Sequence, residues 1–247
     1  MPPQGALPDS PTPPESLSIL IPVFNESATV EEALRRLWAV DLPLATEIIA
    51  VNDCSTDDTA DRLAGLAEES PWPFTLLHHE RNRGKSAALR TALARASGSL
   101  TLICDADLEY DPADIPDLLA PVLAGTADAV YGSRFLNLER TESTWWHTLG
   151  NRLLTALSNL FSRLALTDME TCFKLVRTDV LHSLNLRAER FGFEPEVTIR
   201  LGQLGQRLVE IPIAYEARTY AEQKKIKWID GFRALGTIMR TGLTRPK

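Results

Sequence analysis

The chain has 247 residues, 44% of them apolar and 24% charged, with a formal net charge of −7. That length and composition describe a soluble globular protein of one large or two small domains, with room for a sizeable core. The acidic balance excludes a general nucleic-acid binder, and no run of about eighteen apolar residues exists to form a transmembrane helix.

The charge is uneven. From Arg218 to Lys247 there are eight Lys/Arg against two Asp/Glu, a local +6, so the remainder carries −13. A basic end on an acidic body marks either an anionic partner, such as phosphates or a membrane surface, or a solubilising terminus. Cys54, Cys104 and Cys172 have no metal-ligand spacing and read as small packing residues suited to a reducing compartment.

Residues 1–15 hold six of the sixteen prolines and read as a disordered tail, without the positive start and apolar core of a signal peptide. Leu17 to Val23 is a first strand. Pro22, Phe24, Asn25 and Glu26 lie at its carboxyl end. Ser27 and Thr29 are candidate caps for a helix with Ala33, Leu34, Leu37 and Trp38 on its inner stripe. Glu47 to Val51 is a second strand, running into the polar cluster Asn52-Asp53-Cys54-Ser55-Thr56-Asp57-Asp58-Thr59, which would cap a helix carrying Leu63 and Leu66. Phe74 to His78 is a third strand. It leads through Asn82-Arg83-Gly84-Lys85-Ser86 to a helix that Gly98 ends.

The fourth strand, Leu100 to Cys104, runs straight into Asp105-Ala106-Asp107-Leu108-Glu109. Two carboxylates this close repel, and partial burial makes that worse. Either they form an acidic turn capping the helix that starts near Asp111 and Pro112, or a divalent cation relieves the repulsion. After a helix with Ile115, Leu118, Leu119 and Leu123, Ala129 to Arg134 is a fifth strand ending in a close-approach glycine and a guanidinium. Trp145 to Leu164 is an amphipathic stretch with basic charges, Arg152 and Arg163, which either packs on the core or lies at a membrane surface. Thr167 to Lys174 is an acidic loop entering a strand, Phe173 to Val176. Glu194 and Glu196 precede a helix bearing Val197, Ile199 and Leu201. A final strand, Leu208 to Tyr215, leads to a last helix with Ile226, Trp228, Ile229, Phe232, Leu235 and Ile238.

Strands alternating with helical patterns mean βαβ units and a mostly parallel sheet, whose ligands bind beyond the carboxyl ends of the strands. The clusters at 22–26, 52–55 and 105–109 should therefore converge on one edge.

The order Ile21-Pro22-Val23-Phe24-Asn25-Glu26, the 51–59 cluster, Asn82 to Ala88, Asp105-Ala106-Asp107-Leu108-Glu109 and Gly132-Ser133-Arg134-Phe135 resembles family 2 glycosyltransferases. The closest branch is similar to dolichol-phosphate and polyprenyl-phosphate sugar synthases. The resemblance implies the GT-A fold, an α/β Rossmann-like mixed, mostly parallel sheet flanked by helices, with C-terminal amphipathic helices. It implies a glycosyltransferase domain over 16–217 and a basic closing loop and amphipathic helix over 218–247.

It further implies a nucleotide-sugar donor, Mg²⁺ or Mn²⁺, and inversion at the anomeric carbon. Asn25, Glu26, Asn52 and Asp53 match the positions that hold base and ribose; Pro22, Phe24, Lys85 and Ala106 line the same donor region. Asp105 and Asp107 match the Asp-X-Asp metal motif, with Glu109 where the branch adds another contact. Arg134 matches an arginine near donor sugar and acceptor phosphate, and Arg218 with Lys225 a basic pair closing over the diphosphate. Asn52 and Cys54 depart from the Asp and Gly usual at those positions.

The acceptor is read from charge. A lipid phosphate is already ionised and needs guanidinium groups to position it, for which Arg134 and Arg152 are candidates. A hydroxyl acceptor needs a base, for which Glu194 and Glu196 are candidates; otherwise they are helix-terminal charges. The expected activity is hexose transfer from a GDP-mannose or UDP-glucose type donor to a polyprenyl phosphate, at the cytoplasmic face of a membrane as a peripheral protein. The alternatives are transfer to a hydroxyl acceptor and a catalytically silent nucleotide-sugar-binding module.

Overall fold

A computed structural model describes residues 14–136, 141–142, 145–217 and 228–244. Nearly all of the proline-rich tail (residues 1–13), and Arg218, Lys225 and Ile226, lie outside the described residues.

The first half alternates strand and helix as the apolar periodicity requires: β1 (Ser16–Val23), α1 (Val30–Trp38), β2 (Ala45–Asn52), α2 (Thr59–Glu69), β3 (Phe74–His78), α3 (Lys85–Leu93) and β4 (Leu100–Ile103). A 3-10 turn at Pro112–Asp114 opens α4 (Ile115–Leu123), and β5 (Ala129–Ser133) follows. Then come β6 (Thr141–Glu142), α5 (Trp145–Ser162), β7 (Lys174–Arg177), α6 (Thr178–Ser183), α7 (Phe193–Gln203), β8 (Leu208–Pro212), β9 (Tyr215–Glu216) and α8 (Trp228–Gly242).

The main sheet has the order β3-β2-β1-β4-β7-β5-β8. Only β7 runs against its neighbours, antiparallel to both β4 and β5. Covered on both faces, the central parallel strands are largely apolar: Leu17, Ile19, Leu20 and Ile21 of β1 are buried, as are Ile48 to Val51 of β2. Pro22 is tolerated in this central strand because the β1–β4 ladder stops at Leu20 opposite Ile103, before the missing N–H would be needed.

Helices α5, α7 and α8 form a second packing layer around Met169, Ile199 and Ile238. Glycine sets their approach. A Cβ on Gly202 would clash with the Ser162 carbonyl, and one on Gly242 would strike the Phe161 ring. The long stretch from Trp145 therefore divides by face: Leu154, Leu157 and Phe161 pack inward, while Leu149, Leu153 and Leu160 are exposed.

Three expectations are corrected. The strand expected over Leu208 to Tyr215 is two strands, because β5 ends at Ser133 opposite Pro212 and the chain crosses to pair Tyr215 with Thr141. Thr29 stands at the N-cap of α1, but its hydroxyl donates to the Glu26 carboxylate at 2.8 Å and does not cap the helix. Leu123, expected on the inner stripe of α4, is exposed.

Candidate active site

The loops after β1, β2 and β3 are laced together at the sheet's carboxyl edge. Asn25 adopts a left-handed backbone, φ 51°. Its Oδ1 accepts from the Thr56 backbone N–H at 2.8 Å, and its own N–H donates to Ser55 Oγ at 2.9 Å. The Glu26 N–H donates to Thr59 Oγ1 at 2.8 Å. Asp57 holds the same threonine. Burial would raise its carboxyl, but hydrogen bonds from Thr59 and Ser27 outweigh that and hold it at about 2.

Asn52 and Asp53, matched above to base and ribose contacts, are buried and turned to the protein. Asn52 Oδ1 accepts from the Ser55 N–H at 3.0 Å, and its amide meets His78 Nδ1 at 3.2 Å. The Asp53 carboxylate accepts from the N–H groups of Arg83 (2.9 Å) and Gly84 (2.6 Å) and lies 2.6 Å from His79 Nδ1. These contacts are structural: they fix the third loop. Gly84 is required there, since its φ is 85° and an added Cβ would sit 2.7 Å from the Arg190 Cα.

Asp105 leaves β4 facing Lys85, the first residue of α3. Lys85 Nζ lies 2.7 Å from Asp105 Oδ2 and 3.1 Å from Glu194 Oε1. Burial would lower the Lys85 ammonium, but Asp105 beside it holds it well above its usual range. Ala106 is buried, so only a small residue fits between the two aspartates. Asp107 Oδ1 accepts from the Glu109 N–H at 3.1 Å, with Leu108 between them in a left-handed conformation, φ 64°. Such a conformation costs of order 1–3 kcal/mol and marks a constrained loop. The following turn is capped by Asp111, whose carboxylate accepts from the Ala113 N–H at 3.0 Å. Asp111, and neither Asp105 nor Asp107, makes that cap, while Asp107 holds the turn before it.

Glu109 does not join them in a three-carboxylate set. Its Oε2 accepts from the Tyr215 hydroxyl at 3.0 Å, and among the described residues no three His, Cys, Asp or Glu side chains form a metal-holding group. A pair of partly exposed carboxylates still fits Mg²⁺, which takes one or two carboxylates and completes its shell with water and phosphate oxygens.

On the other side of the loop, Arg134 follows β5. Its Nε and one terminal nitrogen donate to the two oxygens of Asp168 at 2.6 and 2.7 Å, while its ring neighbour Tyr215 lies 4.9 Å away. Asp168 is fully buried and also accepts from the Asn151 amide at 3.0 Å. Burial would raise this carboxyl, but Arg134 outweighs it and keeps it low. Arg152 stacks over Phe135 at 5.7 Å and borders a cavity of about 280 Å³ that Asn159 and Leu166 help line. Gly132 permits the close approach expected of it: the Ile213 side chain lies 2.7 Å from where a Cβ would be.

Glu194 and Glu196 are both engaged by groups of the protein. Glu196 Oε2 accepts from the N–H groups of Arg187 and Ala188 at 2.8 and 2.6 Å, and Glu194 joins the Lys85 pair. Both are buried, so the first turn of α7 uses them inside the protein. The sequence pattern assigned no role to Asp168, Glu170, Lys174, His79 or Tyr215. Asp168, His79 and Tyr215 pair with residues 34, 26 and 106 positions away, beyond reach of local patterning. Arg218 and Lys225 lie outside the described residues.

The family model described as glycosyl transferase family 2 matches residues 18–184. The chain belongs to that family. An undecaprenyl-phosphate mannosyltransferase of Micrococcus luteus is 31% identical over 235 residues, covering 91% of this chain and 93% of that protein. An undecaprenyl-phosphate 4-deoxy-4-formamido-L-arabinose transferase of Pseudomonas aeruginosa is 31% identical over 216 residues, 87% of this chain. The chain spans only 61% of that protein, and 63% of the same-named transferase of Sodalis glossinidius. Among solved structures, glucosyl-3-phosphoglycerate synthase of Mycobacterium tuberculosis, in complex with Mn²⁺, UDP and phosphoglyceric acid, superposes with a TM-score of 0.70. It is 21% identical, covering 94% of this chain and 80% of that one. At that identity the likeness shows the fold: this family 2 member has the mixed GT-A sheet that its motifs implied. No helix among its described residues is long and apolar enough to cross a membrane.

Proposed function

We propose that this protein is an inverting glycosyltransferase that moves a hexose from a nucleotide-diphosphate sugar to a polyprenyl phosphate. The arrangement at the ends of β4 and α3 carries the reading. Asp105, two residues before Asp107, pairs with the Lys85 ammonium, while of the two carboxylates best placed by sequence to activate a hydroxyl Glu194 is held by that same Lys85 and Glu196 by backbone N–H groups. An acceptor that is already an anion needs no base. The relatives named as undecaprenyl-phosphate transferases support the same acceptor class.

In this reading Asp105 and Asp107 would hold Mg²⁺ or Mn²⁺, which supplies positive charge to a diphosphate leaving group. Solved complexes of the mycobacterial relative contain Mn²⁺ or Mg²⁺ with UDP. Lys85 is held charged against Asp105 and adds fixed positive field on the same side. Asp168 fixes the plane of Arg134, and Arg134 with Arg152 orients the acceptor phosphate. The nucleotide lies against the loops of Asn25, Glu26, Asn52 and Asp53. Residues 16–217 carry this chemistry, and 218–247, with Arg218 and Lys225, close over the diphosphate. Exposed Leu149, Leu153 and Leu160 on α5, Phe232 and Met239 on α8 and Leu243 just beyond it, with Arg152, Arg163, Arg233 and Arg240 nearby in the chain, suit a peripheral seat on an anionic membrane.

Purified protein with UDP-glucose or GDP-mannose, Mg²⁺ or Mn²⁺, and a polyprenyl phosphate in detergent should yield a lipid-linked sugar. Transfer to soluble hydroxyl acceptors with polyprenyl phosphates ignored would sink the reading.

A further inference from the structure

The loop that feeds β7 carries a carboxyl the scheme above does not use. Because β7 runs antiparallel to β4, with Lys174 opposite Ile103, the residues just before it return to the edge where Asp105 emerges. Glu170 lies in that loop and is partly exposed, yet its Oε1 is sealed from solvent and finds no hydrogen-bond partner among the described residues. Thr171 Oγ1 beside it is sealed and orphaned in the same way. The Lys174 ammonium does not hydrogen-bond it. Lys174 Nζ donates to the carbonyls of Met169 and Thr171 at 2.8 and 2.6 Å and sits 4.1 Å from the centre of the Tyr131 ring.

Burial, and then the Glu194 charge, push the Glu170 carboxyl up, while Lys174 and Arg134 pull it down. It therefore feels both Arg134 and Glu194, and Glu194 holds Lys85. In the transferase reading Lys85 serves the diphosphate and Arg134 the acceptor, and the transferred sugar lies between those two groups. An orphaned buried carboxyl is costly, and native proteins keep such groups where a ligand or water completes them.

We propose that Glu170 is a sugar-contacting residue, hydrogen-bonding a hydroxyl of the hexose while the nucleotide is held elsewhere. This rests on the transferase reading above. A carboxyl offers acceptor oxygens and, when protonated, an O–H donor, matching a sugar hydroxyl. It discriminates sugars because a site built to bond a hydroxyl rejects a ligand that leaves its polar group unpaired.

The test compares nucleotide sugar with bare nucleotide. Affinities for UDP-glucose, UDP, GDP-mannose and GDP are measured by calorimetry with Mg²⁺ for the wild type, Glu170→Gln and Glu170→Met. Melting temperatures are recorded alongside. The expected result is that Glu170→Met loses about tenfold or more in affinity for the sugar nucleotide while the bare nucleotide binds as before. Glu170→Gln, which can still donate and accept, keeps most of that affinity, and neither variant melts below the wild type. An unchanged ratio in Glu170→Met, or equal loss for both ligands with a lowered melting temperature, overturns the proposal. It would assign the orphaned oxygen to bound water or to the fold. If the wild type binds none of the four, the transferase reading falls first, and this inference with it.

Discussion

On the β3-β2-β1-β4 side, the loops at the carboxyl edge are joined by side chains that receive backbone N–H groups: Asn25 from Thr56, Asp53 from Arg83 and Gly84, Asn52 from Ser55. On the β7-β5-β8 side, the corresponding loops are joined through buried charge. Arg134 clasps Asp168, Glu210 accepts from the N–H groups of Thr167 and Asp168 at 2.7 and 2.9 Å, and Lys174 is fully enclosed. The first arrangement makes a rigid rim at modest electrostatic cost. The second maintains charge in a dry setting, where a guanidinium acts strongly on an incoming anion but depends on each partner staying in place. A nucleotide wants a shaped wall; a phosphate acceptor wants an oriented cation. In the proposed reading the two halves of the sheet serve these two needs.

The sharpest break is Asp168→Ala. It leaves Arg134 buried without its carboxylate, which costs about 3–5 kcal/mol. In a chain of 247 residues that lowers the melting temperature by about 10 °C, measurable by calorimetry. The sign with pH follows from the lowered Asp168 carboxyl. Its stabilisation is fully present above the ordinary carboxylate value of about 3.9 and is lost as pH falls through the depressed folded value. Wild type and Asp168→Asn should thus differ most near neutrality and converge only in acid.

Asp107→Ala touches the border between the halves. Transfer should fall at least about 100-fold, the scale of one lost charge-stabilising contact. Because Asp107 is partly exposed, the melting temperature should hardly move. Equal turnover in wild type and variant would remove the carboxylate pair from the mechanism. Thr59→Val probes the hydrogen-bonded rim, removing the hydroxyl that serves the Glu26 N–H and Asp57. A loss of about 1–2 kcal/mol in denaturant unfolding is expected, well below that of Asp168→Ala; a loss as large would erase the contrast between the two sides.

Most of this edge was legible in the sequence because it is local. Apolar runs followed directly by Pro22 to Glu26, Asn52 to Thr59 and Asp105 to Glu109 require no knowledge of distant contacts. What escaped was pairing across the chain. Glu194 meets Lys85, 109 positions earlier, and nothing near Glu194 announces it. Asp168 stands 34 residues from Arg134. The strand Lys174–Arg177 carries nothing in its four residues that marks its direction. Its reversed direction is set by where α5 delivers the chain, so the return of Glu170 to the site edge could not be read locally.

The smallest expected effect on stability is also the one that separates the faces of α5. Its periodic leucines fit both core packing and a membrane seat, and the fold uses them for different things. Leu154 and Leu157 pack near Met169, Ile199 and Ile238, whereas Leu149, Leu153 and Leu160 point to solvent. Leu153, 71% exposed, has almost no burial to lose. Leu153→Gln should therefore change unfolding free energy by no more than about 0.5 kcal/mol. Transfer of a short-chain, detergent-soluble prenyl phosphate should also be unchanged. Binding to vesicles containing anionic lipid, followed by cosedimentation, should weaken, and more so when Leu149 and Leu160 are changed with it, because interfacial affinity scales with apolar area inserted. Undiminished vesicle binding in the triple variant would detach this face of α5 from any membrane role. It would leave the guanidinium side of the site to collect its acceptor without help from the surface.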